Sequence, residues 1–451
     1  ARQIRASGTG RVIATTLCVC MLRIIASIRC AGTGPGWCHG VAYHCRTMQD
    51  ISTQLIHHPY RAPEDFEAPQ QGVFKASTVV FPNVAAMRTR EWKDKSAYTY
   101  GLHGTPTTFV LEERIAALEG GLQTVLVPSG LAAIANVALA LLQTGDEVLI
   151  PDNAYGPNKA LAEGELAAFG ISHAYYDPLS VADLAARITD RTKLVWLEAA
   201  GSVTMEFPDL IAQARLCRQR GVVSALDNTW GAGIAFNPFD LDGQGLGVDV
   251  SAHALTKYPS GGGDVLMGAV TTRDEALHLK LKLTHMRLGL GVGANDAEAV
   301  LRALPSIGLR YRAQDHAARE LARWCSGQAA FAQVLHPALD DAPGHAAWQQ
   351  VCGAAEARGQ GAAAGLFSVI VDARYPAAQV DAFCDALRLF KLGYSWGGPV
   401  SLVVPYDLAS MRTQWPAHLA RGTLVRFSLG LEAVADLQAD LAQALAVALP
   451  I

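Results

Sequence analysis

The feature that most restricts the fold of this 451-residue chain is a series of short, continuous apolar runs separated by helical sequence. TVLVP (124–128) precedes the helical run LAAIANVALALL (131–142), and DEVLIP (146–151) leads to a helical stretch at 157–169. KLVWLE (193–198), VVSALD (222–227), VDVSAHALT (248–256) and MGAVTT (267–272) continue the series. Runs this short and this uniformly apolar, alternating with helices, predict parallel strands covered on both faces. Five of the strands end in a polar residue: Ser129, Asp152, Glu198, Asp227 and Lys257. Open α/β sheets bind their ligands at the carboxyl ends of the strands, so these side chains are expected to converge on one edge.

The texture changes after about residue 310. Ala/Arg-rich helical sequence (313–330) leads through RGQGAAAG (358–365) to a strand (366–373), a helix (377–390), TLVRFSLGL (423–431) and a closing helix. The expected organisation is α/β, with a large, mainly parallel-sheet domain at 106–310 and a smaller C-terminal α+β domain at 311–451. The Pro- and Tyr-rich stretch 48–105 reads as an extended arm.

Residues 1–47 read as foreign to the rest. They hold Cys18, Cys20, Cys30, Cys38 and Cys45, six arginines and no acidic residue, and a methionine stands just after them at Met48. Arg23 interrupts the apolar core that a secretory signal requires, whereas an Arg-rich, acid-free transit peptide fits the composition. Upstream sequence translated from a start placed too early also fits and is the preferred reading. No zinc-ligand spacing is present, so no metal is expected. Beyond Met48 only Cys217, Cys325, Cys352 and Cys384 remain, far apart, as a reducing cytoplasm tolerates. The formal charge is −4 with no Lys/Arg run, which argues against nucleic acid, and no apolar stretch is long enough for a membrane span.

The segment HALTKYPSGGGD (253–264) places Lys257 before three glycines, thirty residues after Asp227. A buried carboxylate at a strand end needs a partner. With no metal ligands close by in sequence, a protonated heteroaromatic nitrogen is the natural one. An Asp for a pyridinium nitrogen and a Lys for a Schiff base are the two protein groups that pyridoxal 5'-phosphate most requires. Ser129 and Gly130 precede a helix whose first N–H groups offer a phosphate cradle. Thr256 adds a hydroxyl, and Tyr155 is placed to lie against the ring. Taken singly, each has an ordinary explanation: a surface lysine, a helix cap, a turn former, a packed aromatic. The ordered set, each member after a strand, carries the expectation. The glycines are expected to leave room for the lysine to move.

These residues sit in motifs that resemble the Cys/Met-metabolism pyridoxal-phosphate enzymes, the cystathionine lyases and synthases of fold type I. The resemblance runs from TQLIHH (53–58) to the C-terminus and includes YGLHGTPTT, LEGG, PSGLAAI, AYGP, DNTWGAG, ALTKY, HPAL, YSWGG and GTLVRFSLGLE. GSVTME (201–206), Trp230 and Trp396 look like the cystathionine β-lyase branch. The resemblance implies that Lys257 is the Schiff-base lysine and proton shuttle, and that Asp227 meets the ring nitrogen and Tyr155 the ring. It implies that Gly130, Leu131 and Thr256, beside Ser129, hold the phosphate, which Tyr100 reaches from a neighbouring subunit. Arg426 is implied to bind the α-carboxylate, Ser395 to place the lysine, and Trp396 to line the substrate pocket. Three positions depart from the pattern: Leu102 and His103 stand where arginines are frequent, and Ala254 replaces a frequent serine. The resemblance implies that the position His103 occupies attracts a substrate's distal carboxylate.

The implied protein is a pyridoxal-phosphate-dependent carbon–sulfur lyase, active as a homodimer and assembled as a tetramer, acting on an amino-acid substrate. β-Elimination of L-cystathionine is the leading expectation. A γ-lyase or γ-synthase, a cysteine desulfhydrase, and a non-catalytic cofactor-binding regulator remain alternatives.

Overall fold

The computed structural model describes residues 50–58, 68–89, 95, 97–353 and 361–450, so the expectations for residues 1–47 lie outside the described residues. Seven strands form the larger sheet: β1 (Gln123–Val127), β2 (Glu147–Pro151), β3 (Ser172–Tyr176), β4 (Thr192–Glu198), β5 (Val223–Asp227), β6 (Val250–His253) and β7 (Gly268–Thr272). Their spatial order is β1-β7-β6-β5-β4-β2-β3. Five further strands form the smaller sheet: β8 (Phe331–Leu335), β9 (Leu366–Asp372), β10 (Lys391–Leu392), β11 (Leu402–Tyr406) and β12 (Gly422–Ser428), in the order β10-β11-β12-β9-β8.

Period-two alternation sends successive residues of each strand to opposite faces. Val148 and Ile150 pack with Trp196, Ala225 and the helix Gly130–Leu141, whereas Leu149 packs with Val195, Leu197 and the helix Leu210–Arg220. Both faces are covered, which is why the runs are apolar throughout. In the smaller sheet Val425 and Phe427 enter a core with the helices Ala377–Ala386 and Val434–Ala448. Leu424 instead joins the core of the larger part, and Arg426 shares its parity on β12. The same alternation that builds the small core therefore aims Arg426 away from it.

Two expectations are corrected. MGAVTT forms β7, but β7 runs antiparallel to both β6 and β1. A parallel crossover needs a dozen or more residues and usually a helix. Residues 254–267 hold turns, Pro259 and three glycines and no helix, so the chain doubles back. The helix expected at 313–330 is Ile307–Ser326, and 331–335 is strand β8. The 310/311 division falls within this helix. The apolar pattern of the sequence does not mark strands β3, β8, β10 and β11. β3 is an edge strand of sequence SHAYY, mostly half-buried, so it carries no apolar run. β11 contains Pro405, whose missing N–H is tolerated because β10 pairs only with Leu402 and Val403.

Candidate active site

The carboxyl ends of β1, β4, β5 and β6 open onto one cleft holding about 890 Å³ of free space, part of it open to solvent. Ser129, Gly130, Leu131, Tyr155, Glu198, Asp227, Thr256, Lys257, Trp396 and Arg426 all line it. Of the five strand-end polar residues only Asp152 does not. Its carboxylate instead meets Lys159 Nζ at 3.1 Å and the Thr413 N–H at 3.2 Å.

Lys257 Nζ donates to Ser395 Oγ at 2.8 Å and stands 4.5 Å from the Trp396 ring centroid. Burial pulls its amine down to about 8, aided by the charge of Arg426 and opposed by Asp227. Arg426 is 5% exposed, with its guanidinium 5.3 Å from the Trp396 ring and 5.4 Å from that of Tyr406. Its Nη2 donates to the Ser395 carbonyl at 3.5 Å, and its buried Nε has no hydrogen-bond partner among the described residues. The same holds for the indole N–H groups of Trp230 and Trp396, both on cleft-lining side chains. An arginine this buried in the cleft wall, with an unmet N–H, is poised for a planar, two-pronged acceptor such as a carboxylate.

Asp227 and Glu198 are register partners across β4 and β5. Burial raises both carboxyls, and the charge of Asp227 raises Glu198 further. Thr229 counters this at Asp227, donating to Oδ1 from its N–H at 3.0 Å and from its hydroxyl at 2.6 Å. The Ala254 N–H in turn donates to Thr229 Oγ1 at 3.0 Å, joining the lysine segment to the aspartate. Glu198 accepts from the Tyr155 N–H at 2.8 Å and so fixes the tyrosine's backbone. Burial first, then Asp227 and Glu198, raise the Tyr155 hydroxyl and keep it protonated at neutral pH.

The Ser129 hydroxyl caps its own helix, accepting from the Ala132 N–H at 3.0 Å. Thr256 Oγ1 donates to the Met267 carbonyl at 3.2 Å and accepts from the Met267 N–H at 3.1 Å. The first-turn N–H groups of Gly130 and Leu131 have no intrahelical acceptor and are the free donors here. A Cβ on Gly130 would meet the Ala254 Cβ at 2.6 Å, so the helix end and the lysine segment close up only with glycine and a small residue. The glycines after Lys257 serve the turn: Gly261 and Gly263 have φ of 65° and 71°, and a Cβ at Gly261 would strike Arg310. Space beside the lysine comes from Gly397, whose added Cβ would lie 2.9 Å from the Lys257 carbonyl carbon.

One helix, Ile307–Ser326, grips three cleft segments from behind. Arg310 Nη1 donates to the Tyr258 carbonyl at 2.7 Å, Tyr311 Oη to that of Trp230 at 3.2 Å, and Gln314 Nε2 to that of Gly398 at 2.8 Å.

Tyr100 and His103 lie outside this chain's own cleft. Tyr100 is 46% exposed, and its ring centroid stands 6.0 Å from that of His103. His103 Nδ1 is bonded to Thr99 Oγ1 at 2.7 Å, and together with Leu102, Lys95, Lys282 and His278 it lines a separate pocket. Sequence reasoning named Glu198 only as a strand end and missed its bond to Tyr155. The polarity of β4's last residue was the available signal.

The cleft fits pyridoxal 5'-phosphate. Two neighbouring strand-end carboxyls offer partners for a cation, unspent helix N–H groups call for an anion, and an amine with a depressed pKa lines the same cleft. This is the arrangement of a fold-type-I pyridoxal-phosphate enzyme. The sequence matches the Cys/Met metabolism PLP-dependent enzyme family over residues 52–446, and the chain belongs to that family. It is 38% identical to a cystathionine beta-lyase from Bordetella avium, over 82% of this chain and 90% of the relative. It is 33% identical to the cystathionine beta-lyase MetC of Escherichia coli, over 87% and 97% of the two chains. The crystal structure of a cystathionine gamma-lyase from Lactobacillus plantarum complexed with L-serine superposes with a TM-score of 0.77 at 25% identity, covering 89% of this chain and 99% of that one.

Proposed function

We propose that this chain is a carbon–sulfur lyase that eliminates the β-sulfur of L-cystathionine and, with one water consumed, gives homocysteine, pyruvate and ammonia. The observation that carries this reading is the Lys257 amine, lowered to about 8 and held by Ser395, in one cleft with the unmet Nε of Arg426. Branch-type residues support β-elimination: Gly201, Ser202, Val203 and Met205 of GSVTME, with Trp230 and Trp396, form cleft walls. The names carried by the relatives point the same way.

When bound, the cofactor supplies the electron sink that makes a substrate Cα proton removable. Gly130 and Leu131 would hold its phosphate through backbone N–H groups, with Ser129 and Thr256 alongside, and Asp227 would pair with its ring nitrogen. Arg426 binds the α-carboxylate with two N–H groups and so orients Cα toward Lys257. Lys257, partly neutral near neutral pH, removes the Cα proton as a general base. Ser395 holds that amine in place by its 2.8 Å hydrogen bond. Tyr155, kept protonated, offers a proton at the cleft wall as the sulfur departs. Trp230, Trp396 and Met205 exclude water from the reacting centre.

Tyr100 and His103 lie outside their own cleft, which supports a homodimer as the active unit, with the 48–105 arm of one copy completing the other's site. The family resemblance extends this to a tetramer. The four cysteines among the described residues are free and buried, which supports a cytoplasmic setting. Among the described residues no helix is long and apolar enough to cross a membrane.

The test is the keto acid released when protein begun at Met48 is given pyridoxal phosphate and L-cystathionine. Pyruvate is expected. 2-Oxobutyrate would replace the proposal with γ-elimination, and turnover of L-cysteine alone would replace it with a desulfhydrase. No product from either amino acid would refute a catalytic role and leave a binding protein.

A further inference from the structure

Behind the wall formed by GSVTME lies a charged cluster that is not part of the cleft lining. Glu206, the last residue of that segment, is fully buried. Its carboxylate collects four donors: Arg412 Nη2 at 2.5 Å, His418 Nε2 at 2.7 Å, Asn153 Nδ2 at 2.8 Å and Thr204 Oγ1 at 2.9 Å. Burial alone would raise this carboxyl, but the His418 bond and the Arg412 charge outweigh it and hold it at about 2. The cluster is a satisfied buried network, the kind that fixes one arrangement rather than several.

The four donors come from three places that bear on the cleft. Asn153 lies two residues before Tyr155. Thr204 belongs to the wall segment itself. Arg412 and His418 lie on the connection between β11 and β12, which continues into Arg426. Within 411–421 the backbone makes little hydrogen bonding of its own, so side chains decide where the connection sits. Its first residues are held on the same side, since Lys159 Nζ donates to the Met411 carbonyl at 2.8 Å and Asp152 accepts from the Thr413 N–H at 3.2 Å. Asn153 is likewise constrained, because a Cβ on Gly201 would fall 2.0 Å from its Nδ2.

We infer that Glu206 is a positioning residue: it sets the distance between the Tyr155 segment and the strand bearing Arg426, and so places the α-carboxylate seat relative to Lys257. This rests on the assignment of Arg426 to the α-carboxylate, but not on which thio amino acid is turned over. Glu206 touches neither substrate nor cofactor and acts through the segments it joins.

The experiment is binding of L-alanine to the holoenzyme, followed through the visible absorption of the cofactor. L-Alanine has the amine and the carboxylate but no leaving group at Cβ, so its affinity is read whatever the substrate proves to be. In Glu206→Gln and in Arg412→Gln the Kd for L-alanine is expected to rise about tenfold, and the double variant to be no worse than either single one, because both remove the same constraint. The spectrum before L-alanine is added should match wild type, since Lys257 and Asp227 are untouched. His418→Gln, whose amide can still donate, should bind L-alanine more tightly than His418→Leu. That pair of variants also serves if Glu206→Gln does not accumulate as folded protein. An unchanged Kd with only a lowered Tm would show a purely structural cluster and overturn the inference, as would additive losses. Wild-type protein that binds L-alanine no more tightly than an Arg426→Ala variant would instead fault the assignment of Arg426.

Discussion

Lys257 is a cost to the cofactor-free chain. Its amine titrates at 10.5 in the unfolded reference and at about 8 in the cleft, where burial and Arg426 disfavour the charge. A shift of that size corresponds to about 3–4 kcal/mol at roughly 1.4 kcal/mol per unit, an upper bound because the side chain retains some solvent. Below the folded value both states are protonated and the whole penalty is present. Between the two values the unfolded chain binds the extra proton, so the penalty shrinks as pH rises and is gone above the unfolded value. Lys257→Met keeps most of the packing and removes the charge. The variant should be more stable than the cofactor-free wild type by about 1–3 kcal/mol at about pH 7, and the gap should narrow steadily between about pH 8 and 10.5. The assay is urea unfolding of both cofactor-free proteins over that range. Only their difference is read, so titration of other groups cancels. A variant no more stable than wild type near neutrality, or a gap independent of pH, would refute the placement of a desolvated amine.

Arg426→Lys keeps the charge but loses the two-pronged geometry. A charged hydrogen bond is worth about 1.5–3 kcal/mol, so KM for the amino acid should rise roughly 10- to 100-fold; an unchanged KM would deny the carboxylate role. Gly130→Ala places a Cβ 2.6 Å from that of Ala254, about 1 Å inside normal contact, so the helix end must move off the lysine segment. Equilibrium dialysis should then show weaker cofactor binding with the fold intact, whereas equal affinity would show that the cradle lies elsewhere.

Much of the cleft could be read from residue order, because parallel strands deliver their terminal side chains to one edge. Ser129, Glu198, Asp227 and Lys257 are legible for that reason, and Tyr155 follows from its place one turn beyond β2. Arg426 came from the family motif, and the structure adds the cause: it shares parity with Leu424, on the face of β12 away from the small core. The direction of β7 was not legible from its apolar content, which is the same in either orientation. Glu206 was visible only as a branch marker. Its partners Arg412 and His418 lie more than two hundred residues away, and no local pattern ties a carboxylate to donors at that separation. The hydroxyls of Ser129 and Thr256 read as ligand donors in sequence, yet in the fold each already serves backbone groups. Tyr100 and His103 sit in motif order with the others but on a different surface, since order along a chain does not say which side of it faces the cleft.

The helix Ile307–Ser326 bonds to the carbonyls of Tyr258, Trp230 and Gly398 from positions 310, 311 and 314. A helix rises about 1.5 Å per residue, so its side chains are spaced like the marks on a ruler. Three loops that are otherwise separate in sequence are read against one scale. Loops hung from a common rod should not loosen one by one. Their amides would exchange with solvent together, at the free energy that melts the rod, and the cleft would be lost in a single event rather than eroded from its rim.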